Sequence, residues 1–329
     1  MDFHQDALEF ARLSTKYREL VMKKSEGGAS SASAGIESNK VMLEVRELIN
    51  FNVQRLCSAF NIKLFKKATK FDKGKGIVVV ASSIPNIIAK GDNLKMRDLT
   101  TLNPDSYKIL DGVNIMLDYS GSMWFGGKRD CIGGNLRRIH AQNFLALVLV
   151  EYLKKVSRNK LKIIINTFCR ESIITEVDMT NVIDYDILLV HENWGSGVYE
   201  SRKLMPKKLQ EYKHTFFTHE DMHGAIQESL AKFTKKKMKN FITFFMTDGG
   251  LHRIGESGAD RGKYLKDFLA KLQSLCNKTT TMFTFIKEQK MDTAILCKEA
   301  GIDVLTMNDV EEFNGCFEFF TQLINEARS

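Results

Sequence analysis

Residues Val113–Met123, VNIMLDYSGSM, run through five mostly apolar positions and stop abruptly at a carboxylate and two hydroxyls. A short apolar run bounded by polar turn residues reads as a buried parallel strand with helices on both faces. Asp118, Ser120 and Ser122 then fall just beyond the strand's carboxyl end, where a doubly wound sheet presents its functional groups. Gly121 lets the backbone turn tightly enough to bring both hydroxyls to one point. Carboxylate and hydroxyl oxygens are hard ligands, suited to Mg²⁺ or Mn²⁺ and not to a thiolate-seeking metal. A second stretch, Phe241–Gly250 (FITFFMTDGG), repeats the pattern and ends on Asp248.

Outward from these strands the chain alternates strand and helix. A strongly apolar helix is predicted from about Asn135 to Arg158 and a strand from Leu161 to Phe168. A helix starting at Asp221 carries Ala225, Ile226, Ser229, Leu230 and Phe233 on one face. Further helices are predicted over 261–277, 292–301 and from Asp309, where Glu312 stands three residues on as a capping box. Strands are predicted at Thr281–Ile286 and Ile302–Thr306. This alternation predicts an α/β fold, a doubly wound and mostly parallel sheet flanked by helices. Residues 170–215 carry no readable period.

Before Asp111 the pattern differs. Residues 1–25 predict an N-terminal helix, and 26–40, rich in Gly, Ser and Ala, a flexible linker. Residues 41–110 predict a helix followed by a β-hairpin extension, with strands at Ile62–Phe65 and Gly76–Ala81. In that hairpin Lys73-Gly-Lys75-Gly76 is the turn; it lacks the spacing of a phosphate loop. Residues 111–329 form the main domain.

At 329 residues and 43% hydrophobic content, the chain can bury one sizeable core and a smaller accessory unit. No apolar run approaches membrane-spanning length, and the N-terminus has neither a basic start nor an apolar stretch for a secretory signal. A cytoplasmic protein with six reduced cysteines, no membrane partner and no cysteine metal motif is therefore expected. The net charge is +8, with 18 Lys and Arg against 12 Asp and Glu in residues 1–110. That excess reads as a solvated basic face. The run Lys235–Lys239 suits the C-terminus of a helix, and without interleaved aromatics nucleic acid is an unlikely partner.

Asp118-Tyr-Ser120-Gly-Ser122 matches the D-x-S-x-S signature of von Willebrand factor A (VWA) domains, and Thr247-Asp248-Gly249 resembles the distal metal residue of that family. The resemblance implies a metal-ion-dependent adhesion site (MIDAS) holding Mg²⁺ or Mn²⁺ through Asp118, Ser120, Ser122 and Asp248. A third loop usually contributes a threonine in the frame T-[DN]-x-x-x-A-[LI]. Here the frame reads Glu220-Asp-Met-His-Gly-Ala225-Ile226, so Glu220 takes the threonine position, with Thr218 two residues earlier as its alternative. Trp124 and Phe125, beside the metal loop, would contact a partner. The resemblance implies metal-dependent binding to a protein that offers an Asp or Glu, not catalysis. The arrangement is similar to cobaltochelatase-type subunits and to VWA partners of MoxR-type AAA+ ATPases, so an AAA+ ATPase is the expected partner.

Two alternatives remain at this level. His219-Glu220-Asp-Met-His223 spells H-E-x-x-H, in which His219 and His223 would bind zinc and Glu220 would activate water. A Ro-type RNA-binding protein with a VWA domain would also contain these motifs, although the long helical repeats expected upstream are missing. An aspartyl phosphatase is less supported, because Ser120 stands where its motif has a second aspartate. A nucleophile elbow is less supported too, since its motif needs Gly before and after the serine and Tyr119-Ser120-Gly-Ser122 offers neither spacing.

Overall fold

The computed structural model describes residues 3–26, 29–59, 70–72, 77–79, 111–124, 131–157, 161–168, 172–177, 222–235, 241–248, 258–277, 279–287, 291–308, 312 and 315–317. The chain begins with two long helices, α1 (Phe3–Glu26) and α2 (Ala29–Ala59), and a two-stranded antiparallel hairpin of β1 (Lys70–Asp72) and β2 (Ile77–Val79). In that hairpin Asp72 pairs with Ile77; the expected turn Lys73–Gly76 lies outside the described residues. The first strand lies at 70–72; the expected strand at 62–65 falls outside the described residues.

The main sheet is built from β3 (Gly112–Asp118), β4 (Lys162–Phe168), β5 (Ser172–Val177), β6 (Phe241–Thr247), β7 (Thr280–Ile286) and β8 (Asp303–Met307). Among the described residues its order is β5-β4-β3-β6-β7-β8. All neighbours are parallel except β5, which runs antiparallel along β4 at one edge. The sequence reading missed β5, because six residues at an edge carry too little pattern to separate strand from loop.

The intervening helices are α3 (Gly121–Trp124), α4 (Arg138–Ser157), α5 (Met222–Lys235), α6 (Gly258–Cys276) and α7 (Met291–Glu299). Successive strand residues point to opposite faces, and the core divides accordingly. Val113, Ile115, Leu117, Ile242, Phe244 and Met246 face α4, whereas Met116, Phe245, Phe283 and Phe285 face α5, α6 and α7. On the second face Phe245 stacks on Phe283 with ring centroids 4.2 Å apart. Ala225, Ile226 and Ser229 of α5 and Phe268, Leu272 and Leu275 of α6 are buried there, as their helical spacing predicts.

Helix α4 is buried from Arg138 through Leu153, on every side. An all-round apolar helix needs cover on both faces. One face lies on the sheet, and α1 and α2 cover the other, with Phe10 of α1 packing on Phe144 at 5.6 Å between ring centroids. The N-terminal helices thus dock on the domain itself and share its core. The turn 131–136 before α4, closed by a bridge between Ile132 and Leu136, meets the start of α1. Gly133 has φ +57°, and a Cβ there would stand 2.5 Å from the His4 ring, so a side chain is doubly disfavoured.

The flexible linker expected at 26–40 is corrected. Only 27–28 separate the two helices as described, and α2 is helical from Ala29 onward. The same small residues that look unable to pack let two helices approach closely: Ala34 and Ser38 are buried, and the Ser38 hydroxyl donates to the Gly35 carbonyl at 2.9 Å. Alanine also has the highest intrinsic helix propensity. At the C-terminus, Asp309 lies outside the described residues, and the Glu312 carboxylate accepts the Asn308 N–H at 2.6 Å. No helix among the described residues is long and apolar enough to cross a membrane.

Candidate metal centre

The strand order reverses direction between β3 and β6. From β3 the chain crosses to β4 on one side, and β6 later returns to the other side. In doubly wound sheets such a switch point is where a crevice forms at the carboxyl ends of the strands. Leu117 pairs with Met246, so Asp118 and Thr247 emerge next to each other, with Asp248 one residue further on.

Asp118 is fully buried, and both of its carboxylate oxygens accept hydrogen bonds. The Ser120 N–H donates to Oδ1 at 2.7 Å and the Thr247 hydroxyl to Oδ2 at 2.6 Å. The loop then turns into α3, where the Met123 N–H meets the Ser120 carbonyl at 3.2 Å. This turn brings the hydroxyls of buried Ser120 and exposed Ser122 within 3.0 Å of each other. Burial pushes the Asp118 carboxyl well up, to about 7, and the neighbouring Asp248 carboxylate adds to the effect against the hydrogen bonds from Thr247 and Ser120.

Helix α4 supplies the supports. Arg138 in its first turn donates to Asp248 Oδ2 at 2.7 Å and reaches toward the Ser122 carbonyl at 3.5 Å. One turn on, Gln142 donates to the Asp118 carbonyl at 2.8 Å, and Asn143 accepts the buried Tyr119 hydroxyl at 2.9 Å. The Tyr119 N–H continues the sheet by donating to the Phe168 carbonyl at 2.7 Å. Arg138, Gln142 and Asn143 escaped the sequence reading, and Thr247 entered it only as part of the T-D-G motif, without its bond to Asp118. Their signal was present: polar side chains inside an otherwise apolar helix or strand are kept there by partners.

The donor set fits a small hard cation. Octahedral Mg²⁺ with ligands at about 2.1 Å places adjacent oxygens about 3.0 Å apart, which is the separation of the two serine hydroxyls. Asp118 and Asp248 supply the negative charge. Among the described residues no three His, Cys, Asp or Glu side chains converge, so a cation here depends on the hydroxyls as well as the carboxylates.

Of the residues predicted from the sequence, Asp118, Ser120, Ser122 and Asp248 lie around the one crevice. Thr218, His219, Glu220 and Phe125 lie outside the described residues, as do the side chains of His223 and Trp124, whose backbones belong to α5 and α3.

No family model matches the chain, and no curated protein matches it in sequence. Among solved structures it is similar to the PilB minor pilin from Streptococcus sanguinis, at 10% identity over 68% of this chain and 63% of the pilin, with a TM-score of 0.47. It is also similar to proximal thread matrix protein 1 from the mussel byssus, at 14% identity over 64% of this chain and 46% of that one, with a TM-score of 0.38. A third similarity is to the TFIIH p34 N-terminal domain, at 10% identity over 63% of this chain and 95% of that one, with a TM-score of 0.37. The chain thus spans just under two thirds of the pilin it matches.

Proposed function

We propose that the crevice between β3 and β6 is a MIDAS in a VWA-type domain, and that its cation mediates contact with another protein. Asp118, Ser120 and Ser122 would hold Mg²⁺ or Mn²⁺, with Asp248 as the more distant carboxylate. Glu220, or Thr218 in its place, would complete the protein ligands. The observation that carries the reading is the pair of hydroxyls 3.0 Å apart beside two carboxylates at the topological switch point. A cation there brings a positive centre to which an incoming Asp or Glu can bind by charge-assisted attraction. Such a site suits an adaptor or co-subunit, for which an AAA+ ATPase remains the proposed partner, with Trp124 and Phe125 as its flanking apolar contacts.

Ligands that bind only the native state stabilise it by mass action. Added Mg²⁺ or Mn²⁺ should therefore raise the melting temperature of the wild type. Asp118→Asn, which keeps the shape and removes the charge, should abolish the rise. An unchanged metal response in this variant sinks the assignment.

A further inference from the structure

Helix α2 has two apolar faces. One, formed by Ala34, Val41, Val45, Ile49, Val53 and Leu56, is buried against α1 and α4. On the opposite side Ile36, Leu43 and Phe51 are exposed at 75%, 56% and 52%; among the described residues Ile295 is the one other exposed large hydrophobic. At 3.6 residues per turn, these three line up with Lys40 and Glu47, both exposed, in a single stripe along the helix. The steps between them are four, three, four and four residues, which keeps all five on one side of the helix. Polar residues flank the stripe, with Asn39 and Asn50 on one side and Glu44 on the other.

The stripe is its own complement when reversed. About a point midway between Leu43 and Glu44, Ile36 mirrors Phe51 and Lys40 mirrors Glu47. We infer that two copies of this chain pair antiparallel through α2, with the Leu43 side chains meeting at the two-fold axis, Ile36 packing on the partner helix's aromatic ring and Lys40 facing the opposing carboxylate. A two-fold interface requires such self-complementarity, because each residue must suit the one its own symmetry mate presents. An unrelated partner imposes no such order on the stripe.

The aromatic end is prepared for contact. The Arg55 guanidinium lies 5.2 Å from the Phe51 ring centroid and 5.3 Å from that of Phe3, and it is ion-paired to Asp6 of α1. Phe51 is thereby held in place before association, which lowers the ordering cost of burying it. This surface belongs to α2 and its argument is independent of the crevice between β3 and β6.

The test is sedimentation velocity on the full chain across a wide range of concentration, with circular dichroism to follow folding. The wild type should populate a dimer. Leu43→Glu, which places two carboxylates at the axis, should leave a monomer with an unchanged melting temperature, since this side chain is exposed within one chain. Lys40→Glu should weaken association at least roughly tenfold across the two symmetry-related pairs. Lys40→Glu combined with Glu47→Lys should restore it, a rescue that damage to the fold could not produce. A wild type that is monomeric throughout, or a dimer indifferent to Leu43→Glu and to charge reversal, overturns the proposal. So does a monomer that loses melting temperature on Leu43→Glu, which would place a segment of the same chain on the stripe.

Discussion

Arg138 and Asp248 form an ion pair 2.7 Å long, with side chains only 6% and 1% exposed, that ties the first turn of α4 to the residue following β6. Asp118 lies beside it, so two carboxylates share one buried pocket with one guanidinium. Removing a single member of a buried ion pair leaves an uncompensated charge, at a cost of about 3–5 kcal/mol. Arg138→Met should lose about that much stability in chelator. If the crevice holds a divalent cation, Mg²⁺ should recover more of this loss than it adds to the wild type, since the cation replaces the missing positive charge. Denaturant melts of both proteins, with EDTA and with Mg²⁺, measure the two differences.

The pH dependence of metal binding follows from Asp118. Its carboxyl ionises near 3.8 in an ordinary setting and is pushed to about 7 by burial and Asp248. Between those values the folded state retains a proton that the unfolded chain has released, so the contribution to stability is complete below 3.8 and declines as pH rises through 7. A cation must displace that proton. Mg²⁺ affinity by calorimetry should therefore rise with pH across the window ending near 7, with proton release that disappears in Asp118→Asn.

His140 acts in the opposite direction. Burial in α4, reinforced by Arg137 and Arg18, drives its imidazole down to about 3 from the ordinary 6.5. A depressed histidine contributes stability that is fully present above 6.5 and is lost as pH falls toward 3, with a slope of up to about 1.4 kcal/mol per pH unit. Because Arg18 belongs to α1, protonation places like charges across the seam between α1 and α4. His140→Gln should flatten the acid limb of stability against pH over that window, measured by chemical denaturation.

The packing of the N-terminal helices can be tested directly. Phe10 is fully buried on Phe144, and Phe→Ala in a core typically costs 3–5 kcal/mol. Phe10→Ala should destabilise the whole domain by about that amount, in a single transition, because α1 and α2 share a core with β3 and α4. Limited proteolysis of the wild type should spare 32–40, which a flexible linker would expose. A separate low-temperature transition for the N-terminal helices would contradict a shared core.

The sequence by itself determined the buried strands and the residues that end them. Alternation and abrupt polar stops are local properties, so Asp118, Ser120, Ser122 and Asp248 could be placed at strand ends without knowing what lay beside them. The helical faces of α5 and α6 were equally legible, since a 3.6-residue period reports burial wherever the helix packs. The same period does not name the partner. Only the tertiary structure put β6 next to β3 and so brought Thr247 onto Asp118, and only it aimed Arg138 and Gln142 of α4 at the two strand ends. Those contacts join residues far apart in the chain, and nothing in the local pattern of either one encodes the other. The segment 29–40 shows the converse: its composition fits a linker, yet close approach to α1 makes small side chains an advantage and stabilises a helix that local pattern left open.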